Sequence, residues 1–271
     1  MSTATLVIGQ NSFFAKSFVA ACADLDIRHV PIAELDRPGL FDGVGTIVNF
    51  AFDARLYRVP YAPELDVDRR IAERAAGRPL RYVLLSSRTV YGPRAKWNAS
   101  EDAETTGDGI YGANRVSIER SVADLLGHER LTILRISNTV AYERQPERRT
   151  TFMSQLLSTL RERSEIHFDM SPASRRDFIT DEFFCGALRL LIEQKATGVF
   201  NVGCGFPVPT GDIAEWIIEG FGKGRLVVEA PAVRDEFYLD TTKLRQATGL
   251  TLSPGALRDR CLEIGRRLAR E

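Results

Sequence analysis

The stretch Arg81-Tyr82-Val83-Leu84-Leu85-Ser86-Ser87-Arg88-Thr89-Val90-Tyr91-Gly92 decides how the chain is read. Tyr82 to Leu85 is a short, uncharged, β-prone run, the pattern of a strand covered on both faces of a parallel sheet. It runs straight into two serines, and ligands of open α/β sheets sit at the carboxyl ends of the strands. Further on, Tyr111-Gly112-Ala113-Asn114-Arg115 sets a phenol and a cation at i and i+4, on one face if the segment is helical. A hydroxyl at a strand tip, a phenol and a fixed positive charge can together move a proton on or off a carbonyl/alcohol pair. This set predicts redox chemistry at a carbon bearing oxygen, in the chain itself or in an ancestor.

Toward the amino end, Thr5-Leu6-Val7-Ile8 predicts a first strand ending at Gly9. Gly9-Gln10-Asn11-Ser12-Phe13-Phe14-Ala15 then leads into an apolar helical stretch through Phe18, Val19 and Cys22. Against a G-x-x-G-x-x-G turn, the first glycine is present, and Ser12 and Ala15 hold the other two places. Such a turn lets backbone approach a pyrophosphate at a helix amino end and lets the helix pack close to the sheet. Ala15 meets the packing demand. Ser12 fills space with a Cβ and hydroxyl but can donate a hydrogen bond to phosphate. Taken alone, the turn more often means an ordinary strand–helix connection.

A second strand is predicted over Ile27 to Ala33, followed by Glu34-Leu35-Asp36-Arg37. A carboxylate at this strand end would grip the ribose hydroxyls of NAD, and an arginine would favour the 2′-phosphate of NADP. Both are on offer, so the choice stays open, as does the reading of all four as solvated turn residues. Thr46 to Phe52 predicts a further buried strand, too close behind the second for a full helical crossover. Helices are expected over 63–76 and from Tyr111 through Ile118, Val122, Leu125 and Leu126, with Trp97 to Gly109 a polar surface loop. Leu131 to Ile136 is the next strand, ending at Ser137-Asn138. This alternation predicts an α/β fold, a doubly wound parallel sheet of Rossmann type with right-handed crossovers. The dinucleotide-binding domain is expected over 1–140. The charged, proline-bearing stretch Ala141 to Thr150 marks a boundary or lid before a smaller mixed substrate lobe, 141–271, some of whose segments return to the first domain.

Composition narrows the classes. A chain of 271 residues buries a substantial core without metal or disulfide. With 36 basic and 36 acidic residues there is no general attraction for nucleic acid. Cys22, Cys185, Cys204 and Cys261 form no C-x-x-C pair and read as reduced core residues. His29, His128 and His167 form no ligand set, so no metal site is expected. No basic-then-apolar leader precedes the first strand, and no window is long and apolar enough to span a bilayer. The cytoplasm is the expected location.

Several segments together resemble the extended short-chain dehydrogenase/reductase family, in the branch of nucleotide-sugar epimerases, dehydratases and ketoreductases. They are Val7-Ile8-Gly9 with its turn, Asn49-Phe50-Ala51, Leu85 to Gly92, Tyr111 to Arg115 and Leu134-Arg135-Ile136-Ser137-Asn138. Arg176-Asp177-Phe178-Ile179-Thr180-Asp181, Phe200-Asn201-Val202-Gly203 and Arg234-Asp235 followed by Thr242-Lys243-Leu244 complete the series, in family order. The resemblance implies an NAD(P) cofactor with its pyrophosphate over Gly9, Asn11, Ser12 and Phe13. Phe50, Ala51, Tyr111 and Arg115 would also border it. It implies Ser87 as the serine that holds the substrate oxygen and Tyr111 as the acid/base, with Ser87, Arg88 and Asn138 facing the substrate. Arg176 and Arg234 would hold the nucleotide diphosphate. A guanidinium suits phosphate oxygens on geometry alone, although an isolated Arg176 more often forms a structural salt bridge.

Arg115 stands where the family has a lysine. Arginine keeps the positive charge that favours a deprotonated phenol, but its planar fork does not release a proton. Arg88-Thr89 occupy the place where dehydratases often carry an acidic pair, which disfavours dehydration. The resemblance therefore implies reduction of a nucleotide-linked 4-keto sugar. A 4-epimerase and a catalytically silent nucleotide(-sugar)-binding homologue are the alternatives. It also implies a homodimer through helices 63–76 and 111–126.

Overall fold

Alternation of apolar side chains between two faces is what allows each central strand to be covered twice. The computed structural model describes residues 3–93, 96–144 and 151–271. In chain order its first elements are β1 (Ala4–Ile8), α1 (Phe13–Ala21), β2 (Ile27–Val30), β3 (Val44–Asn49), α2 (Val67–Ala75) and β4 (Arg81–Ser87). Next come β5 (Trp97–Ala99), α3 (Gly109–Leu126), β6 (Leu131–Ile136), β7 (Asn138–Val140), α4 (Phe152–Arg163), β8 (Glu165–Phe168), β9 (Arg175–Arg176) and β10 (Phe178–Thr180). The chain closes with α5 (Asp181–Glu193), β11 (Gly198–Val202), β12 (Val208–Pro209), α6 (Thr210–Phe221), β13 (Arg225–Val228), β14 (Tyr238–Leu239), α7 (Thr242–Thr248) and α8 (Pro254–Leu268).

Six strands form one parallel sheet in the order β11-β6-β4-β3-β1-β2. Leu6, Ile8, Ile47, Tyr82 and Leu84 point to one face, against Ile71 of α2 and Ile118 and Val122 of α3. Val7, Val48, Val83 and Leu134 point to the other, against Phe18 of α1 and Phe184 and Leu188 of α5. This is a doubly wound, Rossmann-type sheet. The chain leaves β1 for β2 and comes back to β3 on the other side of β1. The strand order therefore reverses between β1 and β3, the crevice where such folds take ligands. A third cluster, around Leu157, Ile166, Phe168, Ile217, Leu257 and Cys261, unites α4, α6 and α8 with the paired β8 and β13.

Three local expectations change. The second strand stops at Val30, because Pro31 has no N–H for the ladder, and a 3-10 turn (Ile32–Glu34) replaces a crossover helix. The third strand spans Val44–Asn49 and releases Phe50 to Phe52 into the crevice. Trp97 to Ala99 is a strand rather than loop, because it pairs with Tyr238 and Leu239 far along the chain. The boundary expected in Ala141 to Thr150 lies, for residues 145–150, outside the described residues. All four cysteines are free. Among the described residues no helix is long and apolar enough to cross a membrane.

Candidate active site

Ser87 closes β4 and caps a 3-10 turn (Arg88–Tyr91), its Oγ accepting from the Thr89 N–H at 3.3 Å and the Thr89 hydroxyl at 3.0 Å. The start of α3 is zipped onto that turn: the Gly107 N–H donates to Val90 O at 2.9 Å and the Asp108 N–H to Thr89 O at 2.7 Å. A Cβ at Gly112 would stand 2.4 Å from Thr89 O, so only glycine lets the helix begin this close. The close approach carries Tyr111 to the strand tip. One turn later, Arg115 Nε donates to Tyr111 Oη at 3.1 Å and Nη1 to Leu85 O at 3.1 Å. Phenol and guanidinium are thus fastened together and to β4. Among the described residues no direct hydrogen bond joins Ser87 to Tyr111.

The aromatic surroundings were not foreseen. Tyr57 stacks on the Tyr111 ring at 4.8 Å and 26°, and Phe52 meets it edge-on at 5.7 Å. The Arg115 guanidinium lies 4.2 Å from the centre of Phe52. Behind it, Asp68 Oδ1 accepts from Asn49 Nδ2 and Tyr82 Oη, both at 2.7 Å. Burial pushes Asp68 up to about 6, and the positive charge of Arg115, at 3.9 Å from Oδ2, pulls the other way. Asn49 also holds Ala51 by two bonds, which accounts for the polar break in an otherwise apolar strand. Beneath Ser87, Glu119 receives Ser86 Oγ and a 2.9 Å contact from Arg135, a buried acid–base pair.

A nicotinamide dinucleotide brings a pyrophosphate, and the β1–α1 turn fits one. Gly9 has φ +106, and a Cβ there would stand 2.8 Å from Ala51 N and 2.9 Å from Phe50 C. Gly9, Phe50 and Ala51 therefore meet at the crevice. Ser12 precedes α1 without capping it, and among the described residues its hydroxyl has no protein partner. Free N–H groups of a first helical turn and a free hydroxyl are donors for phosphate oxygens. Phe13 packs edge-on against Phe14, and Phe50 against Phe184, under that turn. Asn11 is exposed beside it. The carboxylates and arginine after β2 lie elsewhere. Glu34 is tied to Arg37 at 2.6 Å, and Asp36 pairs with Arg74 in the last turn of α2, at the amino ends of the strands. That placement takes Asp36 and Arg37 off the ligand edge, because the chain is already returning to start β3.

On the substrate side, Arg176 is largely buried and engages Asp235, Nη2 to Oδ2 at 2.5 Å and Nε to the backbone O at 3.1 Å. Arg234 is exposed, 3.8 Å from Glu236. The two expected diphosphate arginines thus flank Asp235 in different surroundings. Asn138 begins β7, half-buried, in register with Phe178 of β10. Asp177, between Arg176 and β10, accepts the N–H groups of Cys204, Gly205 and Leu239 and so staples three segments around the site.

The family model described as the NAD dependent epimerase/dehydratase family matches residues 60–203. The chain belongs to this family. The matched span holds Ser87, Tyr111, Arg115, Asn138 and Arg176, while the Gly9 turn and Arg234 lie outside it. Solved structures of nucleotide-sugar enzymes share the fold. A UDP-N-acetylglucosamine 4-epimerase from Methanobrevibacter ruminantium M1, in complex with UDP-N-acetylmuramic acid, superposes with a TM-score of 0.81 at 16% identity, covering 98% of this chain and 97% of that one. A dTDP-4-dehydrorhamnose reductase from Bacillus anthracis str. Ames, in complex with NADP, gives 0.79 at 15% over 98% and 100%. MoeE5 in complex with UDP-glucuronic acid and NAD gives 0.78 at 20% over 97% and 99%. No curated protein matches the chain.

Within this epimerase/dehydratase family member, sequence reading missed Phe52, Tyr57, Lys96 and Asp235 as neighbours of the site. Asp235 carried a signal, since it follows a flagged arginine. Phe52 and Tyr57 carried none, because their role depends on a loop folding back onto α3.

Proposed function

We propose that the chain reduces a nucleotide-linked 4-keto sugar at the expense of NADPH or NADH. Membership of a family of NAD(P)-dependent sugar-nucleotide enzymes supports the substrate class and cofactor. The single carrying observation is Arg115 bridging Tyr111 Oη and Leu85 O at the tip of β4. Bound NAD(P)H supplies the hydride. Tyr111 passes its phenolic proton to the carbonyl oxygen, so the C=O becomes a C–H and an O–H with no further reactant. Arg115 holds the phenol in place and stabilises the charge left on it. Ser87, whose Oγ accepts from Thr89 and keeps its own hydrogen free, donates to the same carbonyl oxygen. The free Ser12 hydroxyl and the first turn of α1 hold the pyrophosphate, and Arg176 and Arg234 the substrate's diphosphate. The division of labour is 1–140 for the dinucleotide and mainly 141–271 for the sugar nucleotide. The small second lobe leaves little room for a ketose intermediate to turn over, which favours net reduction over epimerisation.

The test is loss of absorbance at about 340 nm when NADPH or NADH is offered with a panel of nucleotide-linked 4-keto sugars. Turnover on one member supports the proposal, and absence of any dinucleotide binding ends it. A second reading, ligand binding without turnover, is favoured by Tyr57 lying against the face of Tyr111. Tight cofactor binding with no hydride transfer across the panel would select it. A homodimer through α2 and α3 accompanies the family reading and is checked by sedimentation. Ala72, Ile118 and Val122 are buried within the monomer, so any such contact uses the outer faces of these helices.

A further inference from the structure

Arg88 directly follows Ser87. Its guanidinium carbon lies 3.6 Å from the centre of the Phe237 ring, which is itself buried. Among the described residues Arg88 makes no hydrogen bond and no ion pair. The cations around it are answered. Arg176 is held by Asp235, and Lys96 lies 3.1 Å from Asp108 and 3.3 Å from Asp235. The carboxylate of Asp177, whose charge also reaches Arg88, is occupied by three backbone N–H groups. Loss of solvent pulls Arg88 down to about 10, which still leaves it positively charged at neutral pH. Arg88 is half-buried, so its donors, without a protein acceptor, stay open to solvent and to a ligand that can answer them. Its planar fork matches a planar carboxylate through two parallel N–H···O bonds.

We propose that Arg88 is a specificity-determining residue that receives a carboxylate carried by the sugar of the nucleotide-sugar substrate. The proposal rests on the nucleotide-sugar reading above and narrows it to sugars bearing an acid group. Chain position favours the sugar, while Phe237, whose ring lies under Arg88, also adjoins Arg176, so the free-nucleotide arm of the test separates sugar from diphosphate. Arg88 is the chain neighbour of the serine assigned to the reacting oxygen, whereas Arg176 and Arg234, on a different segment, are assigned to the diphosphate.

The experiment measures binding of UDP-glucuronate against UDP-glucose, its uronamide and free UDP, and of GDP-mannuronate against GDP-mannose and free GDP. Each is titrated calorimetrically with NAD present, using wild type and Arg88→Met. The expected result is at least tenfold tighter binding of one uronate than of its neutral counterparts by wild type. That preference falls to twofold or less in Arg88→Met, with affinity for the free nucleotide unchanged. An equal loss of free-nucleotide affinity in the variant would assign Arg88 to the diphosphate and overturn the proposal. Equal binding of uronate and uronamide by wild type would also overturn it, and needs no variant to fold. Binding of neutral nucleotide sugars without that preference leaves the nucleotide-sugar reading standing. Failure to bind any nucleotide or nucleotide sugar removes both.

Discussion

Arg115 and Arg88 serve the same end of β4 from opposite circumstances. Arg115, 8% exposed, is answered on every side, by Tyr111 Oη, Leu85 O, the Phe52 ring and the charge of Asp68. Arg88 has a ring to rest on and, among the described residues, no acceptor. One guanidinium is therefore finished by the fold, and the other is left for something outside it. Under the proposed function, the contrast separates a cation that positions a reacting group from a cation that selects a ligand.

The largest effect that tests this division belongs to Tyr111→Phe. It should cut the rate of hydride transfer by about 10²–10⁴-fold while leaving the unfolding midpoint and cofactor affinity near wild type. Retention of turnover would remove the phenol from the mechanism and make Arg115 merely structural. Glu119→Ala strands Arg135 without its counter-charge, and urea unfolding should show a loss of about 3–5 kcal/mol, the usual consequence of breaking a buried pair. A negligible loss would mean that the floor under Ser87 is less dependent on charge matching than its geometry requires. Arg115→Met should lower turnover by about 10²-fold, the scale for deleting one electrostatic donor from a reacting centre. Single-turnover rates are the measurement, because a change confined to KM would assign Arg115 to binding alone.

Smaller effects sharpen the same picture. Tyr57→Ala removes a stacked ring and should cost about 0.5–1.5 kcal/mol of stability. If Tyr57 covers the phenol, stopped-flow fluorescence should also show faster cofactor association in the variant. The smallest effect lies far from β4, at His167, whose two ring nitrogens face Glu229 at 3.0 Å and Glu165 at 2.9 Å. These hydrogen bonds raise its pKa. The stabilisation is present in full below the unfolded pKa of about 6.5 and is lost as pH rises through the folded value. The melting temperature of wild type should exceed that of His167→Gln at pH 5.5 and match it at pH 9. No difference at pH 5.5 would show that solvent screens the pair completely.

Much of the fold was legible because it is written locally. Alternating Leu6/Val7/Ile8 and Val83/Leu84 specify strands covered on both faces, and the i, i+4 pair Tyr111/Arg115 specifies one helix face. The site was legible as a set of residue types, but not as a set of contacts. Nothing in Trp97-Asn98-Ala99 announces a strand, since its partner Tyr238-Leu239 is supplied from the other end of the chain. Asp36 and Arg37 could be read either as ribose contacts or as turn residues until the returning chain carried Asp36 to Arg74.

The sequence by itself determined that this chain winds a parallel sheet and presents serine, tyrosine and arginine at its carboxyl edge. Periodicity and turn chemistry act between near neighbours in the chain. Only the tertiary structure decided which arginine is satisfied and which is not. Partners such as Asp68, Glu119, Asp235 and Phe237 reach their cations across many residues of chain, and that pairing exists only once the layers have packed.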